Sequence, residues 1–158
     1  LGVSVEAGLA EDMYENLLCI GHYFMPGAEE LLETLHGKYH LYICSNGSKK
    51  VQDSRIASSG IAKYFDGIFI SEEMGLNKPD KRYFEACFAQ IPDFKRESSI
   101  MVGDSLTSDI KGAHNAGLRS VWFNPAHKAM TGDAAPDYEI DALEKLPILL
   151  AELSEVSE

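Results

Sequence analysis

No stretch of the chain is apolar for long enough to cross a bilayer. The longest apolar runs, such as LPILLA from Leu146, fall far short of the ~20 residues that a membrane helix needs, so no membrane partner is expected. There is no dense basic stripe either. With 25 Asp and Glu against 14 Lys and Arg, the formal charge of −11 repels polyanions and argues against nucleic acid polymers as partners. Cysteine is scarce: Cys19, Cys44 and Cys87 are odd in number, lie in apolar surroundings and show no CxxC spacing, which excludes a disulfide framework. They read as reduced core thiols of a cytoplasmic protein. The N-terminus has no positive segment followed by an apolar block, so no signal peptide is visible. It also has no initiator Met, as expected of a chain that starts mid-gene or after processing. No internal repeat or low-complexity tract occurs, and the acidic tail SEVSE is expected to fray.

What remains is a chain of 158 residues, 45% hydrophobic, large enough for one core and one domain, or one domain with a fragment of a second. Leu9, Met13, Leu17, Leu18 and Ile20 recur at helical spacing, predicting a helix from Ser4 to about Ile20 that Gly21 can end. Pro26 then opens a short amphipathic helix that Gly37 stops. Strand YHLYIC (39–44), a helix over about 49–59, strand FDGIFI ending at Ile70, and a helix over about 81–90 follow. Strand SIMV, a helix over about 108–116, strand RSVWF, a short strand over 138–140 and a leucine-rich helix opened by Asp141 and Pro147 complete the order. Strands alternating with helices of about ten residues predict an α/β fold, a Rossmann-like parallel sheet with helices on both faces. Ligands of such folds bind along the carboxyl edge of the sheet.

Three short motifs fall on that edge. In SIMVGDSLTSDI an apolar run stops at Gly103, Asp104 follows at once, and Asp109 comes five residues later near a helix start. Few, hard carboxylate ligands suit Mg²⁺, although the same residues also serve as a turn cap and a favourable helix start. Strand YHLYIC runs into Ser45-Asn46-Gly47, a hydroxyl and an amide followed by a residue that lets backbone approach a ligand; SNG is also ordinary turn chemistry. Lys78 precedes Pro79, which biases it toward an extended conformation before a helix, and a lone lysine is otherwise usually solvated surface. Together, a hydroxyl donor, a cation and a metal-binding carboxylate, each at the end of a successive strand or in the loop before a helix, are the parts phosphoryl transfer requires. His22, His36, His40, His114 and His127 lack ligand spacing and read as caps, surface groups or packed side chains, while Trp122 and Phe123 read as core.

SNG after a strand, KPD before a helix and GDSLTSD after a strand resemble the second, third and fourth motifs of the haloacid-dehalogenase-like hydrolases. MPGAEELLETL, SGIAKYFDGIFISEEMGLNKPD, and GDSLTSDIKGAHNAG followed by WFNP resemble the bacterial pyrimidine 5'-nucleotidase subgroup, over most of Met25 to Leu150. The resemblance implies a Mg²⁺-dependent phosphatase acting on a small phosphorylated substrate, such as a nucleoside 5'-monophosphate, through an aspartyl-phosphate. Carried over, Ser45 and the Asn46 backbone hold the phosphoryl group, Lys78 balances charge, Asp104 binds Mg²⁺, and Asp109 belongs to the metal site or orients Lys78 or a metal-bound water.

The family's first motif, an apolar strand ending DxDxT, is absent; the chain has no Asp-x-Asp triplet. By resemblance, residues 1–24 are the end of a helical cap and residues 25–158 the phosphatase core, with the nucleophile upstream of residue 1. The missing strand is central in the family, between the Ser45 and Asp104 strands. Two rows of buried backbone groups would otherwise go unpaired, each costing about 1 to 3 kcal/mol, so either an N-terminal segment or another chain is expected to complete the sheet. The alternative is a nonenzymatic phosphate- and Mg²⁺-binding or regulatory module. A dehalogenase and a receiver domain fit the motifs less well.

Overall fold

The computed structural model describes residues 7–20 and 22–155. Helix α1 (Ala7–Leu18) and helix α2 (Ala28–Leu35) lead into strand β1 (Tyr42–Ser45), helix α3 (Lys49–Ser59) and strand β2 (Gly67–Ile70). A single helical turn, α4 (Ser71–Met74), and helix α5 (Lys81–Phe88) precede strand β3 (Ile100–Gly103). A π-helical turn over Leu106–Ile110 runs into helix α6 (Lys111–Ala116), followed by strands β4 (Arg119–Phe123) and β5 (Tyr138–Ile140) and helix α7 (Lys145–Glu155). Among the described residues, no helix is long and apolar enough to cross a membrane.

Among the described residues every strand pairing is parallel, β1 with β2 and β3 with β4 with β5, in two separate sheets. The Ser45 strand and the Asp104 strand are therefore not hydrogen-bonded to each other, as the sequence reading requires. Packing joins what the ladders do not. Along β3, Met101 packs into one cluster with Phe69, Tyr83, Phe84, Cys87 and Ala116, whereas Ile100 and Val102 pack into the other with Leu35, Val121, Ile140 and Leu146. This is the period-two alternation of a strand buried on both faces. Tyr42 and Cys44 join the first cluster, so both sheets share that core, while Leu41, just before β1, joins the second.

Several boundaries differ from expectation. The first strand starts at Tyr42 rather than Tyr39, because the Tyr39 N–H still bonds back to Leu35; it ends on Ser45, which is thus a strand residue. Residues Ile61–Tyr64 form a 3₁₀ turn, and SEEM forms a helical turn that closes at Gly75. The predicted 108–116 helix divides into the π turn and α6, because the Asp109 and Ile110 N–H groups both bond to the Ser105 carbonyl. Helix α7 starts at Lys145, before Pro147, and includes Ser154 of the acidic tail, while residues 156–158 lie outside the described residues. The predicted helix start at Ser4 and its end at Gly21 likewise lie outside them. Helix α1 rests on α3, where Ser54 Oγ donates to the Cys19 carbonyl at 3.2 Å. Its Leu9, Met13 and Leu17 are 57–65% exposed, so the apolar spacing that predicts the helix is not a buried face here.

Glycine decides the packing of α5 on α6. A Cβ at Gly112 would lie 2.5 Å from Phe84 Cε2 and 3.3 Å from Pro79 Cα. Neither can retreat easily, since Phe84 is 1% exposed and Pro79 contributes backbone. Gly112→Ala is expected to destabilise the full-length protein by about 1–3 kcal/mol. The melting temperature should fall by roughly 3 to 10 °C, and an unchanged melt would contradict the packing described.

Candidate active site

Ser45 is the last, half-buried residue of β1, and its hydroxyl has no hydrogen-bond partner among the described residues. The backbone then turns through Asn46 and Gly47, the latter at φ 151°, and Ser48 caps α3 by accepting from the Val51 N–H. The turn is tied to the end of β2. Gly47 N–H donates to Ser71 Oγ at 3.0 Å and Lys49 N–H to Glu72 Oε2 at 2.7 Å.

Lys78 occupies the loop between α4 and α5, before a cis bond to Pro79. It is no solvated surface lysine, for it is only 8% exposed. Its ammonium donates to the Cys44 carbonyl at 2.5 Å and to Asp109 Oδ1 at 2.7 Å. Those partners come from different parts of the fold, Cys44 from β1 and Asp109 from the turn after β3. Nothing among the described residues accepts the third ammonium N–H, which leaves one donor for a ligand. Asp109, 6% exposed, also accepts from the Ser105 N–H through Oδ2 at 3.1 Å. Both of its oxygens are thus engaged, one by the lysine and one by backbone.

Asp104 lies exposed at the end of β3, and Trp122 Nε1 from β4 donates to its carbonyl at 3.1 Å. No described residue bonds its carboxylate. A Cβ at Gly103 would fall inside the Asp109 side chain, so the glycine of Gly-Asp is what lets Asp109 fold back against β3. As a free hard-oxygen donor, Asp104 fits a Mg²⁺ that takes one or two carboxylates and completes its shell with water and substrate, and Asp109, its oxygens engaged by Lys78 and backbone, stands beside it. Among the described residues no cluster of three or more His, Cys, Asp or Glu side chains forms a fuller cage.

The structure thus gathers the predicted residues at one edge. Lys78 bonds the residue before Ser45, and Asp109, its partner, bonds the residue after Asp104. Sequence reasoning missed three contributors: Ser71, which is 4% exposed and anchors Gly47; the Asn46 side chain, which bonds the Lys78 backbone; and Trp122, whose ring fills core while its N–H fixes Asp104. A hydroxyl directly after strand FDGIFI was the available signal for Ser71. The histidines stay outside: His22 bonds Ser58, His36 packs edge-on against Tyr64, and His40 bonds Asp66.

The described cysteines are all free. Hydrogen bonding to Cys44 and burial push the Cys87 thiol up, and burial pushes the Tyr83 phenol up, its O–H donating to the Phe69 carbonyl at 2.8 Å. Both are neutral core groups rather than nucleophiles. Breaking one side of a buried ion pair typically costs 3–5 kcal/mol, so Lys78→Met is expected to lower the melting temperature of the full-length protein by about 10 °C. Lys78→Met combined with Asp109→Leu should recover most of that loss. A Lys78→Met protein that melts like the parent would contradict the buried pair.

Residues 9–123 match the haloacid dehalogenase-like hydrolase family. The chain is 41% identical to the HAD-hydrolase YfnB of Bacillus subtilis over 145 residues, 92% of this chain and 62% of YfnB. The crystal structure of YfnB bound to magnesium superposes with a TM-score of 0.90 at 40% identity, over 94% of this chain and 65% of that one. Two further relatives are pyrimidine 5'-nucleotidases. PynA of Streptococcus pneumoniae is 41% identical over 123 residues, 77% of this chain and 52% of PynA. YjjG of Escherichia coli is 34% identical over 148 residues, 94% of this chain and 66% of YjjG. The chain spans less than two thirds of the length of each of these relatives. Its motifs, its parallel α/β architecture and these likenesses agree: the chain belongs to the haloacid dehalogenase-like hydrolase family.

Proposed function

We propose that the protein is a Mg²⁺-dependent phosphatase that hydrolyses a phosphate monoester, a nucleoside 5'-monophosphate, through an aspartyl-phosphate whose nucleophile lies upstream of residue 1. The observation that carries this reading is the Lys78 ammonium, buried between the ends of β1 and β3 with one N–H left for a ligand. A buried cation with a spare donor, beside a free hydroxyl and an exposed carboxylate, complements a phosphoryl dianion and its counterion. Ser45 Oγ and the Asn46 N–H donate to the phosphoryl oxygens, and Lys78 balances their charge. Asp109 holds Lys78 in place. Asp104, with Asp109 close by, would hold Mg²⁺, which when bound supplies charge neutralisation at the phosphoryl group.

On the same reading, residues 1–24 end a helical cap and residues 25–158 form the catalytic core. The strand that carries the nucleophile would lie between β1 and β3, supplied by an N-terminal segment or by another chain. Relatives named as pyrimidine 5'-nucleotidases support the choice of substrate, and a magnesium-bound relative of the same fold supports the choice of metal.

The test is hydrolysis of a panel of nucleoside monophosphates by the full-length protein. Pyrimidine monophosphates should be hydrolysed with Mg²⁺, activity should vanish with chelator and return on adding Mg²⁺, and Ser45→Ala should lower kcat about 10²-fold. Hydrolysis indifferent to chelator would contradict the metal site. Failure to hydrolyse any phosphate monoester would favour a nonenzymatic phosphate-binding module.

A further inference from the structure

The loop that carries Lys78 is gripped by one side chain from a different strand end. Asn46 Oδ1 accepts from the Lys78 N–H at 2.9 Å, and Asn46 Nδ2 donates to the Lys78 carbonyl at 2.9 Å. One amide thus holds both peptide groups that flank the Lys78 Cα. The partners dictate the arrangement, since a backbone N–H can only donate and a carbonyl can only accept. Other bonds in the loop, Asn115 Nδ2 to the Pro79 carbonyl and the Asp80 N–H to the Asn77 carbonyl, leave Lys78 itself untouched. Asn46 is itself held in place from behind, because the following turn is bonded to Ser71 and Glu72.

We propose that the Asn46 side chain is a positioning residue for the Lys78 ammonium, an inference that rests on the phosphate-site role of Lys78 given above. The Lys78 side chain reaches from this clamped backbone to a seat defined by Cys44 O at 2.5 Å and Asp109 Oδ1 at 2.7 Å. With two N–H groups held by those acceptors, the third is left one direction in which to point, and the clamped backbone sets where the side chain starts. Asn46 therefore serves the site twice, by its backbone N–H at the phosphoryl group and by its side chain through Lys78. Being exposed, the Asn46 side chain fills no core, so its loss should act on position more than on folding. Asparagine is suited to the task where neighbours in size are not. Alanine removes both bonds, and aspartate keeps the acceptor for the Lys78 N–H but sets a carboxylate oxygen against the Lys78 carbonyl.

The test is a double-mutant cycle in the full-length protein. Asn46→Ala and Asn46→Asp are made in the parent and in a Lys78→Gln background, which removes the charge but keeps N–H donors for Cys44 O and Asp109. The readouts are kcat/KM for p-nitrophenyl phosphate and calorimetric affinity for inorganic phosphate, with thermal melting as the folding control. A displacement of about 1 Å at such a group costs on the order of 10²-fold, so either Asn46 variant should lose about 10- to 100-fold in kcat/KM in the parent. In the Lys78→Gln background the same changes should cost less than about threefold, in activity and in phosphate affinity. Equal losses in both backgrounds would overturn the clamp, because Asn46 would then act without Lys78. An Asn46→Asp protein as active as the parent would overturn it too. A Lys78→Gln protein that binds phosphate and turns over like the parent would instead remove the underlying reading of Lys78, and the clamp's function with it.

Discussion

The Lys78 ammonium and the Asp109 carboxylate meet at 2.7 Å across the seam between the two sheets, each more than nine-tenths buried. Taking both charges out of water is tolerable only because each has a further partner, the Cys44 carbonyl for the lysine and the Ser105 N–H for the aspartate. The pair does what no hydrogen-bonded ladder does among the described residues, linking the end of β1 polar group to polar group with the turn after β3. Apolar packing in a shared core brings the sheets together, but it is non-directional. The ion pair fixes how their ends stand to one another, because charge-assisted hydrogen bonds are short and strong.

Around that pair, backbone geometry is arranged by residues with no chemistry of their own. Gly103 leaves the space into which Asp109 folds, and the π turn widens the start of the following helix so that the Ser105 carbonyl receives two N–H groups while Asp109 turns back toward β3. Trp122 reaches from the neighbouring strand to hold the Asp104 carbonyl, leaving the carboxylate exposed. Ser71 and Glu72 fasten the turn after β1, and Asn46 fastens the lysine loop to that turn. The end of each of β1, β2 and β3 thus supports a group delivered by another.

How much of this was legible in the sequence follows from the range of each interaction. The strands and helices were readable because their signals are local: apolar runs of four to six residues, Pro79 after Lys78, Gly60 and Gly117 at helix ends. The edge residues Ser45, Asn46, Lys78, Asp104 and Asp109 were readable because each follows a strand or precedes a helix. The second role of Asn46 was not, since its side chain bonds a peptide 32 residues away, nor was that of Trp122, whose partner lies 18 residues back. The burial of Lys78 was equally hidden, because a lone lysine in a loop is ordinarily solvated and only the folded chain supplies Cys44 and Asp109. The π turn escaped because local pattern does not separate it from the start of an α-helix.

Under the proposed function, Ser45, Lys78 and Asp104 converge upon one anion and its counterion. A crystal structure of the full-length protein grown with Mg²⁺ and inorganic phosphate tests that directly. Phosphate oxygens should lie within hydrogen-bond distance of Ser45 Oγ and Lys78 Nζ, with the cation on the Asp104 carboxylate and the Lys78–Asp109 pair unbroken. Phosphate bound elsewhere, or a cation that leaves Asp104 uncoordinated, would contradict it.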